Sequence, residues 1–253
     1  MKIRPGVELA SMTDVGCSRK NNEDSYCYWE PEDDDLFQRL GRLAIVADGM
    51  GGYEGGQIAS RLAVEVVRDA YAAASDESDP GKRLLHAFAE AHRCIQQRAA
   101  SDPALKGMGT TCTAFVVVDG KLRFSHLGDT RLYLATQGRL QLLTRDHTLV
   151  GHWVEAGVLN PEEAETHPQK HVLTAALGVS DQIQPDFPAQ PPSLQRSDVL
   201  LLCSDGLWGQ ISESDISEAL GAASLDEIAR KLVGRAKANG GPDNITLVLL
   251  RIL

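Results

Sequence analysis

Six carboxylates stand at the ends of apolar runs in this chain. Asp48 closes Leu43-Ala44-Ile45-Val46-Ala47, a run long enough for a buried strand, and Gly49, Gly51 and Gly52 follow almost at once. Asp205 follows the apolar run 199–204 and Asp129 follows the run 121–127. Asp243 and the pair Glu23 and Asp24 instead precede the runs 245–252 and 25–30. In antiparallel sheets the end of one strand lies beside the start of its neighbour, so acids of both kinds converge on one rim if the strands run in opposite directions. Such a crowd repels itself, and a cation among the acids is what keeps them ionised. Oxygen donors without His or Cys favour a hard ion, Mg2+ or Mn2+. There are too many acids for one octahedral ion that keeps its waters, which suggests two. A pair of ions roughly 3.5–4 Å apart lowers the pKa of a shared water and clamps a phosphoryl oxygen. The chemistry is then hydrolysis of a phosphoester without a covalent intermediate. Arg19, four residues before Glu23 in a polar stretch, offers a guanidinium fork that matches phosphate oxygens. Taken singly, Asp48 with its glycines is a strand and a turn, and Arg19 is a surface arginine. The recurrence separates the two readings.

The elements that must position these residues can be read from periodicity and punctuation. Residues 7–13 and 25–30 read as strands around a polar segment, 16–24, and the acidic residues 30–35 read as a solvated hairpin loop. Residues 56–74 carry Ile58, Leu62, Val66 and Ala70 beside Ala59, Ala63 and Val67, the spacing of an amphipathic helix. A connection over 75–80 leads to a second helix ending near Ala99. Asp119-Gly120 and Gln137-Gly138 mark two hairpins, 111–118 with 121–127 and 131–136 with 139–144. Residues 146–178 are polar with short helical pieces, and prolines punctuate 185–192. Two helices then open at Ser212 and Ser224, each with an acid in its first turn, and Gly240-Gly241-Pro242 stops the second. The pattern predicts an α+β protein of layered antiparallel sheets, one domain over 1–253.

Composition bounds the partners. With 25 Lys and Arg against 35 Asp and Glu, the net charge of −10 offers no basic field for nucleic acid or an anionic membrane. Five scattered cysteines show neither a disulfide framework nor zinc-ligand spacing. Met1-Lys2-Ile3-Arg4-Pro5-Gly6 lacks the apolar stretch of a signal peptide, and no apolar run approaches the ~20 residues that span a bilayer. The expectation is a cytoplasmic monomer.

In order along the chain, Arg19-x-x-x-Glu23-Asp24, Val46-Ala47-Asp48-Gly49-Met50-Gly51-Gly52, Gly109-Thr110-Thr111, Gly128-Asp129-Thr130-Arg131, Cys203-Ser204-Asp205-Gly206-Leu207-Trp208 and Asp243-Asn244-Ile245-Thr246 resemble the metal-dependent type 2C protein serine/threonine phosphatases, the PPM class, in a minimal bacterial form. The resemblance implies a four-layer α–β–β–α sandwich and Mg2+ or Mn2+ as cofactor. It implies that Asp48 bridges two core ions, the Gly49 carbonyl ligates one of them, Asp205 and Asp243 complete the other, and Glu23 and Asp24 hold its waters. Asp129 with Asp205 matches a third, weaker metal position, Arg19 takes the substrate phosphate, and 146–178 falls where bacterial members carry a flap. The implied partner is a phosphorylated protein, opposite a serine/threonine kinase. Many eukaryotic relatives carry a His after the Asp-Gly pair as general acid, whereas Met50 stands there in this chain. His126 and His147 are candidates for that role by residue type alone. The rival reading is a pseudophosphatase, an inactive metal-binding interaction module, although degenerate members lose core Asp residues and Asp48, Asp205 and Asp243 are all present. An Asp-nucleophile phosphatase would want an Asp two residues after Asp48, where Met50 stands.

Overall fold

Several strands of this chain are apolar at every position rather than at alternate ones, and a strand of that kind needs cover on both faces. The computed structural model describes residues 3–51, 54–73, 77–188, 190, 192–221 and 224–253. Met1, Lys2, Gly52, Ala74, Ser75, Asp76 and Pro191, which figure in the sequence reading above, lie outside the described residues. In chain order the first half holds β1 (Val7–Asp14), β2 (Asp24–Trp29), α1 (Asp34–Leu40), β3 (Arg42–Met50), α2 (Gly55–Ala73), α3 (Pro80–Ser101), β4 (Gly109–Thr110), β5 (Cys112–Val118) and β6 (Lys121–Leu127). The second half holds β7 (Arg131–Thr136), β8 (Arg139–Leu142), α4 (Leu149–Glu155), α5 (Pro161–Thr166), β9 (Val199–Cys203), α6 (Asp205–Trp208), α7 (Glu213–Leu220), α8 (Leu225–Ala238) and β10 (Ile245–Ile252).

The strands form two antiparallel sheets, one in the order β1-β10-β9-β7-β8 and the other β2-β3-β5-β6, with β4 added to β3. Alternation along each central strand sorts its side chains into layers. Ala44 and Val46 of β3 meet Leu200 and Leu202 of β9 and Val248 and Leu250 of β10 between the sheets. Leu43, Ile45 and Ala47 turn the other way, onto Ala59, Ala63 and Val67 of α2 and Leu84 and Phe88 of α3. Leu201, Cys203, Leu247 and Leu249 face Ile216 of α7 and Ile228 and Leu232 of α8. The result is the expected α–β–β–α sandwich, in which each buried Leu, Ile or Val contributes about 1.5–3 kcal/mol. The two hairpin turns also form as expected. Asp119 and Gly120, and likewise Gln137 and Gly138, all have positive φ, the backbone of a type I′ turn.

The acidic run 30–35 departs from expectation. Residues 32–35 are exposed as expected, but they form a helix start and not a hairpin loop: Asp33 accepts from the Leu36 N–H at 2.8 Å and caps α1, with Asp34 and Asp35 in its first turn. A local cap outweighs charge repulsion in so short a run. Glu30 is buried altogether. β3 also runs past Asp48 to Met50, because β4 supplies a partner for Gly49 and Met50.

Candidate metal centre

Two strand pairings bring the acids together. β2 and β3 set Asp24 directly opposite Asp48. In the other sheet Arg131 of β7 and Leu247 of β10 both stand opposite Cys203 of β9. Asp205 just after β9, Asp129 just before β7 and Asp243 just before β10 therefore share one edge. The sheets are joined there by Ser204, whose hydroxyl donates to Asp24 Oδ2 at 2.7 Å and accepts from the Thr246 N–H at 3.0 Å.

The electrostatics register the crowding. Burial raises the Asp48 carboxyl well above the ordinary carboxylate range, and Asp24, Asp205, Asp129 and Asp243 each add to the rise. Burial also pushes Asp24 up to about 7, against its hydrogen bonds from Ser204 and Thr246 and with help from Asp205 and Asp243. Asp129 is raised by burial and then by Asp205 and Asp146. Glu23 is raised by burial, opposed by Arg19 and supported by Asp243. Asp24 Oδ1 and Asp205 Oδ1 are buried with no hydrogen-bond partner. An unpartnered buried carboxylate oxygen costs several kcal/mol unless a cation meets it, and two at one rim are what hard divalent ions fit.

Arg19 reaches this rim, its guanidinium donating to Asp243 Oδ2 at 2.8 Å with the side chain 51% exposed. The sequence-derived set of Arg19, Glu23, Asp24, Asp48, Gly49, Asp129, Asp205 and Asp243 is thus gathered at one edge of the sandwich. His126 and His147 are not available to it. His126 holds Thr113 Oγ1 at 2.7 Å and the Arg145 carbonyl at 2.8 Å, and burial drives its pKa down to about 3. His147 accepts from the Gly128 N–H at 3.2 Å and faces Asp186 at 3.3 Å. Both are packing groups.

Residues to which the sequence attached no role, together with Gly49, hold the acids in place. Asn244 accepts from the Glu23 N–H at 2.8 Å and donates to the Val15 and Asn21 carbonyls at 3.0 and 2.9 Å, clamping the loop that carries Arg19. The Thr110 hydroxyl donates to the Asp48 carbonyl at 2.8 Å, and Thr111 Oγ1 accepts from the Asp48 N–H at 3.0 Å. The Trp208 indole N–H donates to the Asp129 carbonyl at 2.9 Å beneath the Arg131 guanidinium, which forks onto Asp146. Gly49 and Gly206 are glycines because a Cβ would lie 2.0 Å from the Gly56 carbonyl oxygen and 1.9 Å from that of Asn244. Each lies beside an acid in a quoted motif, and that adjacency was the available signal. His171, from segment 146–178, was not marked at all; its Nδ1 lies 3.5 Å from Asp205 Oδ2.

Comparison with known proteins agrees with this geometry. The Protein phosphatase 2C family model matches residues 18–238. Protein phosphatase PhpP of Streptococcus pneumoniae is 37% identical over 249 residues, 96% of this chain and 97% of that protein. The structure of the S. agalactiae serine/threonine phosphatase superposes with a TM-score of 0.88 at 36% identity, covering 98% of this chain and 100% of that one. The catalytic domain of the serine/threonine protein phosphatase PstP, solved in complex with 2 manganese ions, superposes with a TM-score of 0.84 at 32% identity over 98% of this chain and 99% of its own. Sandwich, acid rim and relatives agree, and the chain belongs to the protein phosphatase 2C family of metal-dependent serine/threonine phosphatases.

Proposed function

We propose that this protein hydrolyses phosphoserine and phosphothreonine in proteins, using two divalent cations, Mn2+ or Mg2+, held at the acid rim. The observation that carries the reading is the convergence of six carboxylates from two sheets, with Asp24 Oδ1 and Asp205 Oδ1 buried and unpartnered. Asp48, which feels Asp24, Asp205, Asp129 and Asp243, would be the ligand shared by two ions, with the Gly49 carbonyl beside it. Asp205 and Asp243 would complete the second position, and Glu23 and Asp24 would act through water. Asp129 and Asp205 would hold a third ion more weakly. When bound, the cations supply Lewis acidity, lowering the pKa of water and drawing charge from phosphoryl oxygens.

The chain's own groups do the rest. Attack by water on phosphorus breaks the P–O bond to the serine or threonine oxygen and releases phosphate and the alcohol, so no side chain serves as nucleophile. Arg19 takes the phosphate with its guanidinium fork, which at half exposure is free to leave Asp243 for a substrate. Ser204, Thr110, Thr111 and Asn244 fix the acids before substrate arrives, which removes reorganisation from the reaction. Met50 leaves no histidine beside Gly49, and the packed His126 and His147 take no part in protonating the leaving group. The substrate is a phosphoprotein, and a serine/threonine kinase is the opposing activity. The protein acts as a cytoplasmic monomer; among the described residues no helix is long and apolar enough to cross a membrane. Stripped of metal, the protein should not hydrolyse an aryl phosphate or a phosphoserine peptide, and Mn2+ should restore turnover. Activity that survives strong chelation would overturn the reading.

A further inference from the structure

One side chain at the rim has no part in that account. A ligand atom from each of Asp129, His171 and Asp205 lies within 4.8 Å of the other two. The imidazole is held there by backbone bonds that start at the acid rim. The His147 N–H donates to the Gly128 carbonyl, next to Asp129, at 2.7 Å, and the Thr174 N–H donates to the His147 carbonyl at 2.9 Å. Thr148 bridges to Leu173, and the Leu149 N–H donates to the Val172 carbonyl at 2.8 Å. His171 thus enters from segment 146–178, at the end of a short two-stranded contact, and from neither sheet.

The two acids that it meets are held out of water, and one of them has an unpartnered oxygen. Asp129 is 4% exposed, and the buried Asp205 Oδ1 has no hydrogen bond. One imidazole and two carboxylates form a donor set that Mn2+ and its transition-metal neighbours accept, whereas Mg2+ prefers oxygen and keeps its waters. About one ion, ligands at roughly 2.1 Å stand about 3.0 Å apart at right angles and about 4.2 Å apart only when opposite. His171 Nδ1 already lies 3.5 Å from Asp205 Oδ2, and the widest pair must close by up to about 2 Å.

We propose that His171 is a nitrogen ligand to a cation shared with Asp129 and Asp205, which makes this third position selective for Mn2+ over Mg2+ and ties segment 146–178 to the acid rim when it is filled. The proposal rests on the two-cation reading above and deepens it, since a ligand from outside both sheets couples metal occupancy to the segment bordering the substrate.

The test counts ions and identifies a ligand, independently of turnover. Equilibrium dialysis of the whole chain with Mn2+, and separately with Mg2+, gives the number of sites and their affinities, and pulsed EPR of the Mn2+ sample detects a directly bonded imidazole nitrogen. Wild type should bind two Mn2+ tightly and a third more weakly, with nitrogen coupling that appears as the third site fills. His171→Gln should keep the two tight ions, lose the nitrogen coupling, and weaken the third Mn2+ by roughly tenfold while Mg2+ binding changes less than about twofold. The side chain is 55% exposed, so the fold should survive, as circular dichroism would verify. Asp129→Ala should also abolish the coupling, by removing the site from the other side. Two tight ions with no nitrogen coupling in wild type, or coupling that persists in His171→Gln, would overturn the proposal and leave the two-cation reading standing. No Mn2+ binding at all would overturn both.

Discussion

Two buried carboxylates stand at opposite ends of β2, and the protein treats them differently. Glu30, just past the strand's end, accepts from the Arg4 N–H at 2.6 Å and from the Tyr28 hydroxyl at 2.9 Å, and the Arg42 guanidinium lies 3.4 Å away. Asp24, at the start of the strand, has Ser204 on one oxygen, nothing on the other, and five further acidic side chains at the same edge. The first acid brings its cation in the sequence. The second, on the proposed reading, is left for a cation from solution. A structural acid and one proposed to bind metal then differ less in burial than in whether the chain completes their coordination.

Removing an acid from each end should therefore produce opposite losses. Asp205→Asn takes a charge that Asp24, Asp48 and Asp129 all feel. It should lower kcat by roughly 10³-fold or more while the metal-free variant melts no lower than wild type. A variant that unfolds, or that retains a tenth of wild-type turnover, would erase the contrast. Glu30→Ala should do the reverse. It strands the buried Arg42 and should cost about 3 kcal/mol in denaturant unfolding, with kcat per folded molecule unchanged.

The sequence made most of the acid-rich end legible and little of the structural end. Asp48, Asp205 and Asp243 were visible because each interrupts an apolar run with a charge, a local feature. The hairpins were equally visible, since Asp119-Gly120 and Gln137-Gly138 supply the positive φ values that tight turns need. Glu30 was taken for a solvated residue because its partners Arg4 and Arg42 lie 26 and 12 positions away, and pairing at that range leaves no local trace. His171 escaped for the same reason. It sits in a polar segment with three other histidines, His147, His152 and His167, and only the tertiary contact with Asp205 distinguishes it. Asn244 stood in plain view within a motif, yet its three hydrogen bonds to the loop of Arg19 depend on chain crossings that composition does not encode.

A smaller effect sharpens the comparison through the two arginines. Arg42 is buried against Glu30, whereas Arg19 is half exposed against Asp243. Arg19→Ala should raise KM for a phosphopeptide about tenfold and move kcat less than about threefold, with little change in stability, because it removes phosphate binding and leaves the acids in place. A fall in kcat with KM unchanged would place Arg19 in the reacting centre instead.

The smallest effect is in the pH dependence of the metal-free protein, where Asp24 sets the sign. The pKa of Asp24 rises on folding from its ordinary 3.8 to about 7. Between those values the folded state holds a proton that the unfolded chain has released. Stability from this group is then complete below about pH 4 and is lost as pH rises through about 7. Metal-free wild type should accordingly melt at falling temperature from pH 5 to pH 8, more steeply than Asp24→Asn, in which that proton is absent, by at least about 2 °C for a domain of this size. Saturating Mn2+ or Mg2+ should flatten the wild-type slope, since the ions favour the ionised acids. Glu30→Gln, at the completed end of the strand, should melt lower than wild type at pH 7, because it removes the ion pair with the buried Arg42. Parallel slopes for wild type and Asp24→Asn would mean that Asp24 is ionised without metal, and the distinction between an acid partnered by the chain and one left for a cation would fail at the residue that drew it.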